Sequence, residues 1–365
     1  MPSSTSSSDP GPPPERVVPA APWGRIASVT ALLFLVALGG WEAYWRGQGF
    51  YPSYRNSEGL WAMTRRQVDR AEPGATVIIG SSRALFDTDL EAWEGETGTL
   101  PIQLALEGTN PRPVLAGLAR DPDFTGLLVV GVTPPLFFMP EVGYREAAIE
   151  RYESETPSQW LSQRISMPLE QILAFYSFDT KLFTVLKRQT WWPERSGVRI
   201  ERDVRKLANL RRTRQAPLWE KLEYDPAYAA LARDIWREFL DNPPPPLPPD
   251  EAKRMFDTMI EELQRDVEAI RARGGEVVFV RYPSTGHFLE VETRAFPRER
   301  FFDVVVDSVD AVGVHFDDHP ELQDVTIPEW SHIASRDSPR FTRALIQILR
   351  RELTARGIHR PELGP

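Results

Sequence analysis

Cysteine is absent from the 365 residues of this chain. Disulfide bonds, a catalytic thiol, and zinc or iron–sulfur sites with cysteine ligands are therefore excluded. Basic residues are fewer than acidic ones, with 43 lysines and arginines against 52 aspartates and glutamates, and the net charge is −9. Nucleic-acid binding needs a basic surface, so we expect no nucleic-acid partner. With 41% hydrophobic residues over this length, the chain can bury a sizeable core without covalent staples.

The N-terminal part combines a polar stretch with a long run free of charge. Residues 1–25 are rich in serine and proline and predict a disordered tail. Residues 26–46 predict a transmembrane helix, because no charge occurs from Ile26 to Trp41 and aromatic residues flank this run. A cleaved signal peptide is the alternative interpretation, with Ala37-Leu38-Gly39 as its small-residue site.

A short apolar strand followed by a glycine and two serines organises the next part of the chain. The run from Thr76 to Ile79 is typical of a strand buried on both faces, as in a parallel sheet. Gly80 ends this strand, and Ser81 and Ser82 have the chemistry to cap the next helix. A hydroxyl is therefore expected at the carboxyl end of a parallel strand, where ligands bind in open α/β sheets. A purely structural helix cap is the alternative.

The remaining pattern predicts an α/β fold with a mostly parallel, five-stranded sheet. Four further strands are predicted at Pro101–Leu106, Leu127–Val132, Glu276–Val280 and Val314–Phe316, and helices at 58–71, 82–93, 111–120, 250–273 and 337–356. We expect residues 47–140 and 250–356 to form two parts of one domain. Residues 141–249 predict a helical insertion that caps the active edge and ends in a proline-rich spacer, and residues 357–365 predict a tail.

A second motif lies near the C-terminus. Glu329 stands three residues before His332, which is one of only five histidines in the chain. On a single turn, the carboxylate can orient the imidazole that deprotonates a serine. Asp324 and Asp337 are alternative carboxylates for this task.

In their order and placement, these motifs resemble the SGNH (GDSL-like) hydrolase superfamily. The likeness rests on the Gly-Ser-Ser after the first strand, a glycine after the second strand, and the acid-x-x-His before the last helix, over roughly residues 60–140 and 250–352. It is closest to the membrane-anchored, extracytoplasmic branch that includes the alginate and teichoic-acid acylation proteins. The resemblance implies a three-layer, flavodoxin-like sandwich without a cofactor, with its N-terminus inside and its catalytic domain in the periplasm, anchored to a bacterial inner membrane.

The resemblance also implies catalytic roles. Ser82 matches the nucleophile of the Gly-Asp-Ser motif, with Ser81 in place of its aspartate. His332 would be the general base and Glu329 its orienting carboxylate, in a serine esterase or O-acyltransferase acting on acyl esters of a cell-envelope or exported glycan.

The oxyanion donors are expected to be the N–H groups of Ser82 and Gly108, with Thr133 or Asn110 as a third donor. Thr133 stands where the family has the asparagine of a Gly-x-Asn motif. This departure supports the alternative of a non-catalytic SGNH-like binding or assembly subunit that partners a membrane-bound O-acyltransferase.

Several charged groups have open roles. Arg83 and Arg281 are candidate substrate-binding residues at the active edge, and packing at the sheet edge is the alternative for Arg83. His287 is expected in an exposed loop, with substrate binding as the alternative. Asp317-Asp318-His319 is similar to a metal cluster, but adjacent residues of a strand point to opposite faces, so we expect no metal site. A basic run predicts either a solvated helix face or contact with anionic lipid or acidic glycan, and it comprises Arg195, Arg199, Arg202, Arg205, Lys206, Arg211, Arg212 and Arg214.

Overall fold

The structure is a computed structural model, and it describes residues 19–70, 74–139, 145–188 and 206–364. The chain divides into two compact units, Met1–Phe50 and Tyr51–Pro365. In the first unit, helix α1 (Trp23–Gly47) is long and apolar enough to cross a membrane. Its 25 residues span about 37 Å, which exceeds the roughly 30 Å of a bilayer core. Residues 23–25 belong to this helix and not to the predicted tail, whose residues 1–18 lie outside the described residues.

The second unit is built on a five-stranded sheet in which every strand pair is parallel. Its strands are β1 (Val77–Ile79), β2 (Ile102–Gln103), β3 (Leu127–Gly131), β4 (Glu276–Arg281) and β5 (Val312–His315), in the order β2-β1-β3-β4-β5. The predicted α/β class and the five-stranded sheet are confirmed. The second strand is shorter than predicted, and the fifth begins two residues earlier than predicted.

Helices connect these strands. Among the described residues of this unit they are α2 (Glu58–Val68), α3 (Ser82–Asp87), α4 (Leu90–Thr97), α5 (Arg112–Ala119), α6 (Pro134–Phe137), α7 (Ala147–Ser154), α8 (Pro157–Ile172), α9 (Leu182–Lys187), α10 (Lys221–Tyr224), α11 (Pro226–Leu240), α12 (Pro249–Arg271), α13 (Gly286–Ala295), α14 (Phe302–Ser308) and α15 (Ser338–Ala355). The sequence pattern did not predict α13 and α14. His287 lies in α13, so the prediction of an exposed loop at this residue was wrong.

The core lies on both faces of the sheet because successive strand residues point to opposite sides. Ile78 and Val129 pack on one face, in a cluster that includes the apolar stripe of α15. Val77 and Leu128 pack on the other face, together with α5 and α12. Both faces are thus covered by helices, and this explains why the strand sequences are apolar without alternation.

The first βα turn lies where the strand order reverses. From β1 the chain moves to β2 on one side, and β3 then pairs with the other side of β1. Crevices for ligands form at such reversal points in open α/β sheets. Gly80 makes the turn with φ 152°, and a Cβ there would lie 2.5 Å from Ala84 Cβ. Glycine therefore allows α3 to start close against the sheet.

The C-terminal residues differ from the expected tail. Leu363 is buried and belongs to the core cluster that includes α15. Its carbonyl accepts a hydrogen bond of 2.7 Å from Arg350 Nε. Part of the predicted tail from 357 to 365 therefore packs on the folded unit, because an apolar side chain close to the end of the chain finds a place in the core.

We expect the Gly80→Ala variant to lower the free energy of unfolding by about 2–3 kcal/mol, because the added methyl group meets Ala84 and the backbone is strained. Denaturant unfolding measures this change. Gly117→Ala in α5 is the control, because nothing lies within 4 Å of its new methyl group, and we expect it to stabilise the helix by up to about 1 kcal/mol. A Gly80→Ala variant as stable as the wild type would contradict the close approach.

Candidate active site

Ser82 is the accessible hydroxyl of the first βα turn. It is the first residue of α3, and Ser81 is the N-cap residue. Ser82 is partly exposed, whereas Ser81 is buried. The Ser81 hydroxyl lies 2.6 Å from the Thr133 hydroxyl, which follows β3. Only one of the two serines is thus both open to solvent and at the carboxyl edge of the sheet.

His332 brings the C-terminal motif to this serine. Its Nε2 lies 2.8 Å from Ser82 Oγ, although the residues are 250 positions apart. The imidazole is buried between aromatic rings, with the Phe86 centroid at 4.8 Å and the Trp236 centroid at 6.3 Å. Helix α3 thus begins with Ser82 and also supplies Phe86, one turn later, whose ring packs on the imidazole that contacts the Ser82 hydroxyl.

Glu329 contacts the other side of the imidazole. Its Oε1 lies 3.0 Å from His332 Nδ1 and accepts the backbone N–H groups of His332 at 2.6 Å and of Ser331 at 3.2 Å. Its Oε2 accepts the indole N–H of Trp236. Burial acts to raise the pKa of Glu329, but His332 and these donors outweigh burial and hold the pKa below its usual value. An ionised carboxylate accepts only, so Nδ1 donates to it and Nε2 faces the Ser82 hydroxyl as an acceptor.

The two alternative carboxylates are engaged elsewhere. Asp337 Oδ2 accepts the backbone N–H of Thr326 at 2.8 Å. Asp324 is almost fully exposed and lies 3.5 Å from Arg340. Glu329 is therefore the carboxylate that orients the imidazole.

The turn that holds Glu329 and His332 is irregular and strained. Trp330 has a φ of 75°, a left-handed conformation that a tryptophan seldom adopts. The surroundings stabilise it, since the Trp330 carbonyl accepts Thr285 N–H at 2.9 Å and Arg233 donates to the Pro328 carbonyl at 2.6 Å. A Cβ on Gly286 would lie 2.6 Å from the Trp330 indole nitrogen. Elements far apart in sequence thus maintain a conformation that the local sequence does not favour.

The insertion contributes directly to this site through α11. Trp236 and Arg233 of this helix contact Glu329 and Pro328. Arg237 lies over the Trp330 ring, 5.2 Å from its centroid. Sequence analysis predicted a cap over the active edge but assigned no site residue within it. No local motif around Trp236 marks it, because its role depends on where α11 packs.

Arg83 and Arg281 lie in a buried ion-pair network and not on a substrate surface. Arg83 Nη2 lies 3.0 Å from Glu292 Oε1, and Arg281 Nη2 lies 2.7 Å from Glu292 Oε2. Arg83 Nε also donates to Ser331 Oγ at 3.3 Å, next to His332. The side chains of both arginines are at most 4% exposed. The predicted substrate-binding roles were therefore wrong. Arg83 packs within the sheet edge, as its alternative predicted, and bonds the turn through Ser331, whereas Arg281 pairs with Glu292.

The electrostatics of this network follow from its burial. Burial lowers the pKa of Arg281 to about 10, while Glu292 acts in the opposite direction. Burial acts to raise the pKa of Glu292, but Arg281 and Arg83 outweigh it and hold the pKa below its usual value. The carboxylate is therefore ionised at neutral pH and lies between two positive charges.

The candidate oxyanion donors follow β2 and β3. Gly108 has a φ of 61°, in the loop next to the Gly80 turn, where Leu106 N–H donates to the Gly80 carbonyl at 2.9 Å. Asn110 is buried, its Oδ1 accepts Arg112 N–H at 3.0 Å, and its Nδ2 has no hydrogen-bond partner among the described residues. A buried amide donor without an acceptor is costly. Such a donor is suited to an acceptor supplied by a ligand.

The acidic cluster after β5 is occupied by arginine. Arg298 donates to both carboxylate oxygens of Asp318, at 2.7 and 2.9 Å. His315 Nδ1 accepts the backbone N–H of Asp317 at 3.3 Å, and burial lowers the pKa of His315 to about 3. Within the described ranges, no group of three or more His, Cys, Asp or Glu side chains could hold a metal ion.

The described part of the basic run is partly buried. Arg214 is fully buried and donates to the carbonyls of Gln103 and Ala105, and burial lowers its pKa to about 10. Burial also lowers the pKa of Lys206 to about 8. Both residues are buried, so the solvated face and the lipid contact were both wrong for Lys206 and Arg214. Arg195, Arg199, Arg202 and Arg205 lie outside the described residues.

Asp87 is a buried carboxyl group that sequence analysis missed. Its Oδ1 accepts the backbone N–H of Ile333 at 2.9 Å, and its Oδ2 is buried with no partner among the described residues. Burial raises the pKa of Asp87 well above its usual value, against the lowering effects of the Ile333 hydrogen bond and Arg83. The raised pKa favours the protonated form of Asp87, whose Oδ1 holds the chain directly after His332.

No protein-family model, no curated protein and no solved structure matches this chain. The resemblance to SGNH hydrolases therefore rests on short motifs alone. In the structure, these motifs bring together the hydroxyl of Ser82, the imidazole of His332 and the carboxylate of Glu329.

We expect Glu292→Gln to lower the free energy of unfolding by about 3–5 kcal/mol, because it leaves two buried guanidiniums without the carboxylate between them. Glu290→Gln on the same helix is the matched control. Its carboxylate is mostly exposed, and we expect a change within about 0.5 kcal/mol. Chemical denaturation of both variants measures the difference, and equal effects would show that the Glu292 network contributes no more than a surface charge.

A pH series of Asp87→Asn tests the protonation of Asp87. An acid whose pKa is raised on folding holds its proton in the folded state and loses it on unfolding, so the contribution of Asp87 to stability falls as the pH rises above the unfolded pKa of about 3.9. The amide keeps the acceptor for Ile333 N–H and cannot ionise. The stability of Asp87→Asn relative to wild type should therefore rise with pH, by up to about 1.4 kcal/mol per unit until the folded pKa is reached.

Asp87→Ala completes this series, because it removes the acceptor of Ile333 N–H and should be less stable than Asp87→Asn at every pH. Parallel pH profiles of wild type and Asp87→Asn would mean that the Asp87 carboxyl ionises in the folded protein as it does in the unfolded chain.

Proposed function

We propose that this chain is a serine esterase or O-acyltransferase of the SGNH type, with Ser82 as nucleophile, His332 as general base and Glu329 as orienting carboxylate. The observation that supports it is the continuous path of hydrogen-bond contacts from Ser82 Oγ through both imidazole nitrogens to Glu329 Oε1, at 2.8 and 3.0 Å. The parallel sheet covered by helices on both faces is consistent with the three-layer, flavodoxin-like arrangement of that superfamily.

The first half-reaction forms a covalent ester. Ser82 Oγ attacks the carbonyl carbon of an acyl ester, while His332 Nε2 takes the hydroxyl proton. Glu329 stabilises the resulting imidazolium and fixes the ring, because its Oε1 accepts the Nδ1 hydrogen. When the tetrahedral intermediate collapses, the bond to the leaving alcohol breaks and His332 returns the proton to that alcohol. The acyl group then remains on Ser82.

The oxyanion needs donors at the same edge. We assign the N–H groups of Ser82 and Gly108, and as a third donor the Nδ2 of Asn110, which is buried without a partner among the described residues. Thr133 is the weaker candidate, because its hydroxyl already lies 2.6 Å from that of Ser81. Each donor of this kind typically contributes about 3 kcal/mol to transition-state stabilisation.

The second half-reaction releases the acyl group to water or to a sugar hydroxyl. In either case His332 deprotonates the incoming oxygen as it attacks the acyl carbonyl. When this second tetrahedral intermediate collapses, the bond to Ser82 Oγ breaks and His332 returns the proton to the serine. Hydrolysis and transfer therefore share one triad geometry, and the acceptor distinguishes an esterase from an O-acyltransferase.

The proposed location follows from α1. A helix that can cross a membrane, with the folded unit after it, fits a single-pass anchor in a bacterial inner membrane with the active site in the periplasm. Acyl esters of a cell-envelope or exported glycan are substrates that such a site would reach, and a membrane-bound O-acyltransferase is the proposed partner. Thr133, in place of the family asparagine, favours the second candidate, a non-catalytic assembly subunit of the same fold.

Covalent labelling separates the two candidates. The full-length chain in detergent is treated with a fluorophosphonate probe and, separately, with p-nitrophenyl acetate. We expect labelling of wild type, loss of labelling in Ser82→Ala with a fall in kcat/KM of about 10⁴-fold or more, and retention of labelling in Ser81→Ala. The Ser81 variant is the matched control, because it removes a neighbouring hydroxyl that is buried. A folded wild-type chain that resists the probe would support the assembly subunit.

A further inference from the structure

Helix α8 has an apolar stripe on its exposed face. Leu161, Ile165 and Leu169 follow one another at four-residue spacing, so they lie on one side of the helix, and each is at least 40% exposed. The opposite face is buried and is formed by Gln163, Ser166, Met167 and Glu170. A surface helix of a water-soluble domain usually has polar residues on its outer side. Here the outer side is apolar, and the buried side is mostly polar.

The chain that follows α8 has the same character. Phe178, Leu182 and Phe183 are exposed, and Phe183 is 77% exposed. We define the outer apolar surface as these six residues, three from α8 and three from 178–183. Each of the six is at least 40% exposed, and so many exposed large apolar side chains within residues 161–183 indicate an interaction site.

Basic side chains accompany the aromatic ones at this surface. The Arg164 guanidinium lies 3.6 Å from the centroid of the Trp160 ring, and the Lys181 ammonium lies 5.7 Å from that of Phe178. Apolar and aromatic side chains beside lysine and arginine are typical of helices that lie in the interface of a bilayer. There the rings enter the headgroup region and the cations meet anionic lipid.

The buried face of α8 binds the chain shortly after α1. Arg55 contacts Glu170 through its backbone N–H at 3.0 Å and its Nε at 2.9 Å. The hydroxyl of Ser57 donates to Gln163 Oε1 at 2.8 Å. In sequence, Arg55 follows the end of α1 at Gly47 by only eight residues. Helix α8 is therefore fixed to the part of the folded unit that the membrane anchor reaches first along the chain.

We propose that the outer apolar surface binds the lipid surface of the membrane that α1 spans, with Arg164 and Lys181 contacting anionic headgroups. The inference rests on the anchor of the proposed function and not on its triad. The short connection to α1 and the basic residues beside the aromatic rings favour a lipid surface over a second copy or a protein partner. Binding at two places would restrict how the domain moves above the bilayer.

The absence of cysteine permits a direct test, because each single-cysteine variant takes one label. Full-length Ile165→Cys, Leu169→Cys and Phe183→Cys are labelled with the environment-sensitive fluorophore NBD and placed in lipid nanodiscs that contain phosphatidylcholine and phosphatidylglycerol. Part of the lipid has a nitroxide quencher near the headgroup. We expect these labels to lose about half of their emission, because a bound interfacial helix buries its apolar face about 5–10 Å into the headgroup boundary.

Lys253→Cys in α12 is the matched control, since its side chain is 75% exposed and lies outside the surface. We expect its label to keep its emission. Quenching at all sites alike, or at none, would overturn the proposal, as would labels whose emission is blue-shifted but unquenched, which indicates a protein partner or a second copy. Extraction with alkaline carbonate confirms for each variant that α1 is inserted, so a failed anchor is told apart from a failed lipid contact.

Discussion

The buried carboxylate of Glu329 is the constraint on which the site depends. A charge in a water-free environment must be matched by donors, and Glu329 has four, two backbone N–H groups, the imidazole and an indole N–H. Because three of them belong to the turn from 329 to 332, the carboxylate fixes the shape of that turn. The fourth comes from Trp236, so the position of α11 is tied to the same group. The orientation of the His332 ring and the position of α11 thus both depend on the buried charge of Glu329.

A second buried network bonds the turn that contains Glu329, and it does not include the hydroxyl of Ser82. Glu292 joins Arg83, next to the proposed nucleophile, to Arg281 at the end of β4. Arg83 also bonds Ser331, which lies between the strained Trp330 and His332. Since a buried ion pair is costly to break, the network resists displacement of the turn. Asp87 adds a buried acceptor for the backbone N–H of Ile333, one residue past the imidazole.

Fold and site differ in how far the sequence predicts them. Apolar runs such as Val77–Ile79 and Leu127–Gly131 indicate buried parallel strands, because helices on both faces remove the need for a polar side. Helices α13 and α14 escaped prediction, since their apolar residues do not form a long periodic run. Arg83 and Arg281 were misassigned for another reason. An arginine at a sheet edge has the same sequence signature whether it faces solvent or a buried carboxylate.

The sequence by itself determined where the strands follow one another along the chain, the serine turn after Gly80, the acid-x-x-His spacing and an N-terminal helix that can cross a membrane. These features are local, because each depends on residues within a few positions of one another. Only the tertiary structure decided which carboxylate meets His332, that Trp236 donates to that carboxylate, and that Arg214 and Glu292 are buried. The contacts of Trp236 with Glu329, of Arg214 with Gln103 and of Ser82 with His332 join residues 93, 111 and 250 positions apart. The nucleophile and the base can meet because the parallel sheet brings the carboxyl ends of its strands to one edge.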